Sequence, residues 1–161
     1  MKPSIVKLEK KKKHYCVLDN PYSFKVGKPY LYILQDSTLG NHPLYIGETG
    51  NSKQYTVVGR IQRHFHTAES STMNRLYKNM NAFGHEVPHK ITSVIFELPK
   101  KYNGKHNASK RQSLEGWVVF LICHDMKIQD KRFAVTKYSS PTRKYGKADA
   151  EVIISKYRKC A

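Results

Sequence analysis

Cysteines, acidic residues and long apolar runs are all scarce in this sequence of 161 residues. The three cysteines, Cys16, Cys123 and Cys160, are widely spaced, so they predict neither a disulfide framework nor a CxxC metal site. No apolar run approaches the roughly 18 residues that cross a bilayer, and no apolar segment follows the first charges as in a secretory signal. We therefore expect one domain in a reducing, cytoplasmic setting, with no membrane partner.

Basic residues dominate the charged positions, with 29 Lys and Arg against 12 Asp and Glu and a formal net charge of +17. Most of this charge lies at the two ends. Residues 1–28 contain eight basic and two acidic side chains, residues 131–161 contain nine and two, and residues 29–130 contain twelve and eight. This distribution indicates a polyanionic partner, because each Lys or Arg near a phosphate releases counterions. The alternatives are a merely soluble basic surface and contact with an anionic membrane. The ends lack the amphipathic pattern of a membrane-surface helix.

The same distribution suggests three segments. Residues 1–28 are expected to form a basic extension in which "HYCVLDNPYSF" adds a short strand. Residues 29–130 would form the central domain. Residues 131–161 mix Tyr with Arg and Lys around turn residues, which indicates a small basic unit ending in a short helix at 147–157.

Sequence patterns predict most of the secondary structure of residues 29–130. Residues 30–35 and 43–47 are rich in Tyr, Leu and Ile and flank a cluster of turn formers, which predicts a β-hairpin. The β-branched run 90–98 predicts a third strand. Apolar spacing predicts a helix over 57–65, and a second one from Ser71 to Gly84.

Two later features are ambiguous. Trp117 to Cys123 is an unbroken apolar run, which fits a buried strand as well as a buried helix. Glu115 precedes this run, where an unpaired carboxylate is costly and a cation or metal would compensate it. A glutamate favoured by a helix N-terminus is the equal alternative.

Four further residues are candidates for chemistry. Arg60 and His64 are four residues apart and would share one face of a helix, although solvated residues on a basic helix show the same spacing. Tyr32 and Tyr45 lie on the two predicted hairpin strands, where half-buried tyrosines are common without any function.

A zinc site is not expected. "HEVPH", His85 to His89, matches the HExxH expression, but Pro88 would break the helix that this motif requires. His64 and His66 lack further ligands at suitable spacing.

In chain order, these elements resemble the GIY-YIG nuclease family. "YLY", Tyr30–Tyr32, corresponds to the GIY element, and Tyr45-Ile46-Gly47 is an intact YIG element followed by "ETGN". "RIQRHF" matches the family's Arg-x-x-x-His helix, and "SLEGWVVFLI" its helix with a metal-binding glutamate. The resemblance covers roughly residues 30–130. Tyr30 replaces the family's glycine, the gap from Tyr45 to Arg60 is longer than usual, and only Asp130 or Gln129 stands near the family's asparagine.

The resemblance implies an α+β fold, a small α/β sandwich with a three-stranded antiparallel sheet flanked by helices, in which residues 110–124 are helical. It also implies hydrolysis of DNA phosphodiester bonds with Mg²⁺, or Mn²⁺ in its place. Glu115 would bind the metal and Arg60 would stabilise the phosphate charge. Tyr32 would act as general base or position the water, with Tyr45 and His64 placing both.

Double-stranded DNA is the expected partner. The expected role is that of a restriction enzyme or a mobile-element (homing or interference) nuclease, and a repair or recombination nuclease is the alternative. One active site cuts one strand, so duplex cleavage would require a homodimer on DNA or two successive events. A non-catalytic basic nucleic-acid-binding protein is the alternative. The basic residues that we expect to contact DNA are Lys10, Lys11, Lys12, Lys13, Arg63, Arg143 and Lys144.

Overall fold

The computed structural model describes residues 1–11, 14–19, 22–37, 42–50, 56–66, 88–125 and 145–160. Its strands are β1 (Pro3–Lys11), β2 (His14–Asp19), β3 (Tyr30–Asp36), β4 (His42–Thr49) and β5 (Lys90–Glu97). Its helices are α1 (Val57–His66), α2 (Ala108–Asp125) and α3 (Lys147–Tyr157), and two 3-10 turns, Lys100–Tyr102 and Lys105–Asn107, precede α2. The predicted α+β class is confirmed. The second predicted helix, 71–84, lies outside the described residues.

The sheet has five antiparallel strands in the order β2-β1-β5-β3-β4, so the expected count of three is wrong. The two additional strands come from the N-terminal segment. In β1, buried Val6 and Leu8 alternate with Lys7 and Glu9, the pattern of a half-buried strand. The lysine content of this segment obscured that alternation.

Both faces of the sheet are covered by helices. On one face, Val57, Val58 and Ile61 of α1 pack against a cluster that includes Tyr32 and Tyr45. On the other face, α2 and α3 pack against alternate residues of β3, β4 and β5. Because β3 lies between two strands and under both layers, all of its residues are buried.

The ambiguous apolar run belongs to α2, as the family resemblance implied. Leu114, Val118 and Ile122 recur at four-residue spacing and form its buried face. The helix predicted at 147–157 is confirmed as α3, and it is part of the same core. No helix in the described ranges has the length and apolar character needed to cross a membrane.

The two basic ends of the chain meet. The Lys156 ammonium group in α3 donates a hydrogen bond to the carbonyl oxygen of Met1. The Tyr157 hydroxyl accepts a buried hydrogen bond of 2.7 Å from the side-chain amide of Gln35 on β3. The C-terminal helix is therefore tied both to the sheet and to the N-terminus.

We expect Tyr157→Phe to lower the free energy of unfolding by about 1–3 kcal/mol, because the buried Gln35 amide would lose its acceptor. Urea denaturation would measure the change. Tyr145→Phe is the matched control, since that side chain is 37% exposed. Equal stability of the two variants would contradict this role for the Tyr157 hydroxyl.

Candidate active site

The two motif tyrosines share one face of the sheet. Tyr32 on β3 is opposite Gly47 on β4, and Leu34 is opposite Tyr45. Since side chains alternate along a strand, Tyr32 and Tyr45 point to the same side. Their ring centroids are 6.0 Å apart at an interplanar angle of 45°. Tyr32 is fully buried, and Tyr45 is 9% exposed.

Gly47 makes room for both rings. A Cβ atom at this position would lie 2.5 Å from Cζ and Oη of Tyr32 and 2.8 Å from Cε1 of Tyr45. Such distances are far below van der Waals contact, so the Tyr32 ring rests directly on the glycine backbone. A glycine in the Tyr-Ile-Gly sequence is therefore a packing requirement of this tyrosine pair.

Arg60 reaches the tyrosines from α1. Thr56 caps this helix, because its Oγ1 accepts a 3.2 Å hydrogen bond from the Gly59 N–H, and the Arg60 N–H bonds the Thr56 carbonyl at 3.0 Å. The first turn, which carries Arg60, is thereby fixed. The Arg60 side chain donates a hydrogen bond to Tyr32, yet the residue as a whole is exposed. Its guanidinium can therefore contact the buried hydroxyl and a ligand outside the sheet.

The environment of Tyr32 favours its neutral form. Burial raises the pKa of the Tyr32 hydroxyl well above its usual value, and Tyr45 and Glu115 raise it further. The charge and hydrogen bond of Arg60 act in the opposite direction without cancelling the effect of burial. At neutral pH the hydroxyl is therefore protonated. A phenolate base would require a lowered pKa, whereas the pKa of Tyr32 is raised.

Glu115 approaches from the opposite layer. It lies on α2, which packs against β4, and β4 is an edge strand of the sheet. Burial raises the pKa of this carboxyl to about 8, the nearby Glu48 carboxylate adds to the increase, and Arg60 opposes it. Glu115 thus interacts electrostatically with Arg60 and Tyr32 although they belong to different layers. The residue as a whole is intermediate between buried and exposed.

A buried ion pair holds α2 in this position. Arg111 is 4% exposed, and its Nε donates a 2.8 Å hydrogen bond to the Glu48 carboxylate. Its Nη1 donates to the carbonyl oxygens of Tyr102 and Gly104 at 2.8 and 2.9 Å. Because Arg111 lies one helical turn before Glu115, this contact sets the position of the turn that presents Glu115. The sequence alone does not reveal this pair, since no local pattern links residues this far apart in the chain.

One carboxylate fits the expected metal. Mg²⁺ is commonly bound by one or two carboxylates together with waters and substrate phosphates. The Glu115 carboxyl lies near a second carboxylate, that of Glu48, and a divalent cation would stabilise such a pair. Glu48 is already bound by Arg111. Within the described ranges, no group of three or more His, Cys, Asp or Glu residues could hold a metal by itself.

Of the other residues expected to act in catalysis or to contact DNA, the structure describes only some. Arg63 is exposed on α1, and Lys10 and Lys11 end β1. His64 lies on α1, one turn after Arg60, but its side chain is outside the described part of the structure. The remaining candidates, also outside it, are Lys12, Lys13, Gln129, Asp130, Arg143 and Lys144.

The HEVPH segment behaves as expected where it is described. Pro88 and His89 directly precede β5, so a strand follows this motif. His85 lies outside the described residues.

A scan against family models, a search of curated proteins and a search of solved structures each found no match to this chain. A functional proposal for this chain therefore depends on its sequence motifs and on the geometry of the candidate site.

We expect Gly47→Ala to destabilise the protein by about 1–3 kcal/mol and to displace the Tyr32 ring, because the added methyl group would overlap it. Urea denaturation and the near-ultraviolet circular dichroism of the tyrosines would measure both effects. An alanine variant with unchanged stability and spectrum would contradict the packing described here.

A pH dependence of stability follows from Glu115. The carboxyl ionises near pH 4.5 when unfolded and near 8 when folded, so the folded state binds more protons between these values. Stability should therefore fall as pH rises through this interval, by at most about 1.4 kcal/mol per pH unit. Glu115→Gln should remove this part of the fall. Parallel pH–stability curves for both proteins, measured by urea denaturation without metal, would contradict the raised pKa.

Proposed function

We propose that this chain is a metal-dependent DNA endonuclease of the GIY-YIG type. The observation that carries the proposal is the convergence of Tyr32, Tyr45, Arg60 and Glu115 at one edge of the sheet, from four separate elements. A cation bonded to the Tyr32 hydroxyl, a second tyrosine packed against that ring, and a carboxyl that interacts electrostatically with both Arg60 and Tyr32 match the needs of phosphodiester hydrolysis. The order of these residues in the chain also matches the pattern of the family. This match is a separate line of support, because it does not depend on where the residues lie in the fold.

Arg60 would bind the scissile phosphate. A phosphodiester is an anion, and negative charge increases on its nonbridging oxygens as water attacks. An exposed guanidinium fixed by a capped helix and by a hydrogen bond to Tyr32 is preorganised to stabilise that charge. The hydrogen bond also limits the rotamers that Arg60 can adopt, so less entropy is lost on binding.

Glu115 would hold the metal, Mg²⁺ or Mn²⁺, at the edge of β4. When bound, a divalent cation acts there as a Lewis acid on a phosphate oxygen and favours departure of the leaving oxygen. Glu115 must be deprotonated for this role. Because burial raises its pKa to about 8, binding of the metal would displace this proton, and the positive charge of Arg60 would favour its loss.

Tyr32 would position the attacking water through its hydroxyl. Its raised pKa supports this role over that of a phenolate base. Tyr45 packs against its ring and limits its movement. His64, on the turn of α1 that follows Arg60, would complete the placement of the water.

Double-stranded DNA is the proposed substrate because of the net charge of +17. Residues 29–130 would form the catalytic region, and the basic segments 1–28 and 131–161 would supply affinity for the duplex. A homodimer, or two successive events, would be needed to cut both strands. A cytoplasmic restriction or mobile-element enzyme is the proposed biological role, with a repair or recombination nuclease as the alternative. The alternative is a binding protein that uses the same basic surface without chemistry.

The deciding experiment is cleavage of supercoiled plasmid with and without Mg²⁺. We expect metal-dependent cutting by the wild type. Glu115→Gln should reduce the rate at least about a hundredfold by removing the metal ligand, and Arg60→Ala should cost about 10²–10³-fold by removing charge stabilisation.

Glu151→Gln is the matched control, because that carboxylate is 56% exposed on α3 and, among the described residues, its ion pair is a long i,i+4 contact of 4.0 Å with Lys147. It should cut at the wild-type rate. If wild type and Glu115→Gln bind DNA equally in a salt-dependent manner and neither cuts DNA or RNA, the binding-protein function is correct and the endonuclease proposal fails.

A further inference from the structure

A cleft of about 630 Å³ lies at the end of the sheet where β1 and β3 begin and β5 ends. Three aromatic side chains line it: Tyr22, Phe24 and Tyr30. Phe24 packs edge-on against Tyr30 with ring centroids 5.6 Å apart, and Tyr22 lies 6.1 Å from Phe24. Tyr30 is buried, whereas Tyr22 remains 39% exposed. Part of this aromatic surface is therefore accessible to a ligand.

The rest of the lining combines polar and apolar residues, and its lysines outnumber its one acidic residue. Lys2, Lys28 and Lys100 contribute positive charge, which fits a phosphate. Glu97 accepts a 3.1 Å ion pair from Lys28, and with Asn103 it offers hydrogen-bonding groups inside the cleft. Aromatic surface, cationic groups and a few polar side chains together are the components of a site for a nucleotide.

The strand register places this cleft next to the candidate active site. Glu97 is opposite Tyr30, and Ile95 is opposite Tyr32, so the cleft and the catalytic tyrosine occupy successive rows of the same sheet face. Two residues of a strand span about 7 Å. A DNA strand with one phosphate at Arg60 and Tyr32 would therefore bring an adjacent nucleotide to the cleft.

We propose that this cleft binds the base of one unstacked nucleotide in the DNA strand held at the active site. The base stacks on Tyr22, its edge meets Glu97 and Asn103, and its phosphate is neutralised by the lysines. The identity of the partner as DNA rests on the proposed function. The cleft would thus be a base-binding subsite next to the scissile phosphate.

The test compares two single-stranded heptamers in EDTA, so that no cutting occurs. One has a mixed sequence, and the other has the same backbone without bases. The wild type should bind the base-bearing strand at least about fivefold more tightly, given the usual strength of base–aromatic stacking. Tyr22→Ala should reduce this ratio toward one, while Tyr22→Phe should keep it. Lys100→Ala should weaken the binding of both strands equally.

Tyr145→Ala is the matched control, because that ring is 37% exposed and does not line the cleft. It should retain the wild-type ratio. A wild-type ratio near one, or equal ratios for Tyr22→Ala and Tyr145→Ala, would overturn the base site even in an enzyme that cuts. Failure of the plasmid assay would overturn the endonuclease and leave this ratio as an independent result.

Discussion

The ion pair between Arg111 and Glu48 determines how α2 packs against the edge strand, and the candidate site depends on that contact. Burying a guanidinium is costly unless it is fully hydrogen-bonded. Here the carboxylate and two backbone carbonyls share its donors. The loop before α2, the first turns of α2 and β4 are thereby joined at one point. Removing either partner would leave an uncompensated buried charge and release the turn that carries Glu115.

In the candidate site beside this contact, the environment disfavours the charged forms of two acidic groups. Tyr32 and Glu115 both have a raised pKa, and the positive charge of Arg60 opposes the increase in each. A region selected only for stability would pair these groups better or replace them with apolar side chains. Strongly perturbed acids that converge on one exposed cation are more typical of a site prepared for a ligand. A divalent cation at Glu115 would supply the charge that is missing.

How much the sequence predicts depends on the range of the interaction. The hairpin strands, β5, α1 and α3 follow from local patterns, and the family resemblance identified α2 where its apolar run was ambiguous. The expectation that Tyr32, Tyr45, Arg60 and Glu115 lie close together came from the family resemblance, which depends on their order in the chain. Strand β1 was missed because its alternation is interrupted by lysines whose charge suggested an extension. Arg111 was missed because its partner lies on another element, and pairing at that distance depends on the tertiary fold.

The same long-range packing changes how the basic ends of the chain must be understood. Val6 and Leu8 of β1, and Ile153 and Ile154 of α3, are part of the core clusters. Lysines therefore occur on elements whose other faces hold the protein together, and Lys156 joins the two ends at Met1. A truncation would remove core surface as well as charge, so a loss of DNA affinity could reflect unfolding. Only replacement of exposed lysines on the intact chain separates the electrostatic contribution from the structural one, because each lost phosphate contact should reduce the salt dependence of binding by about one ion.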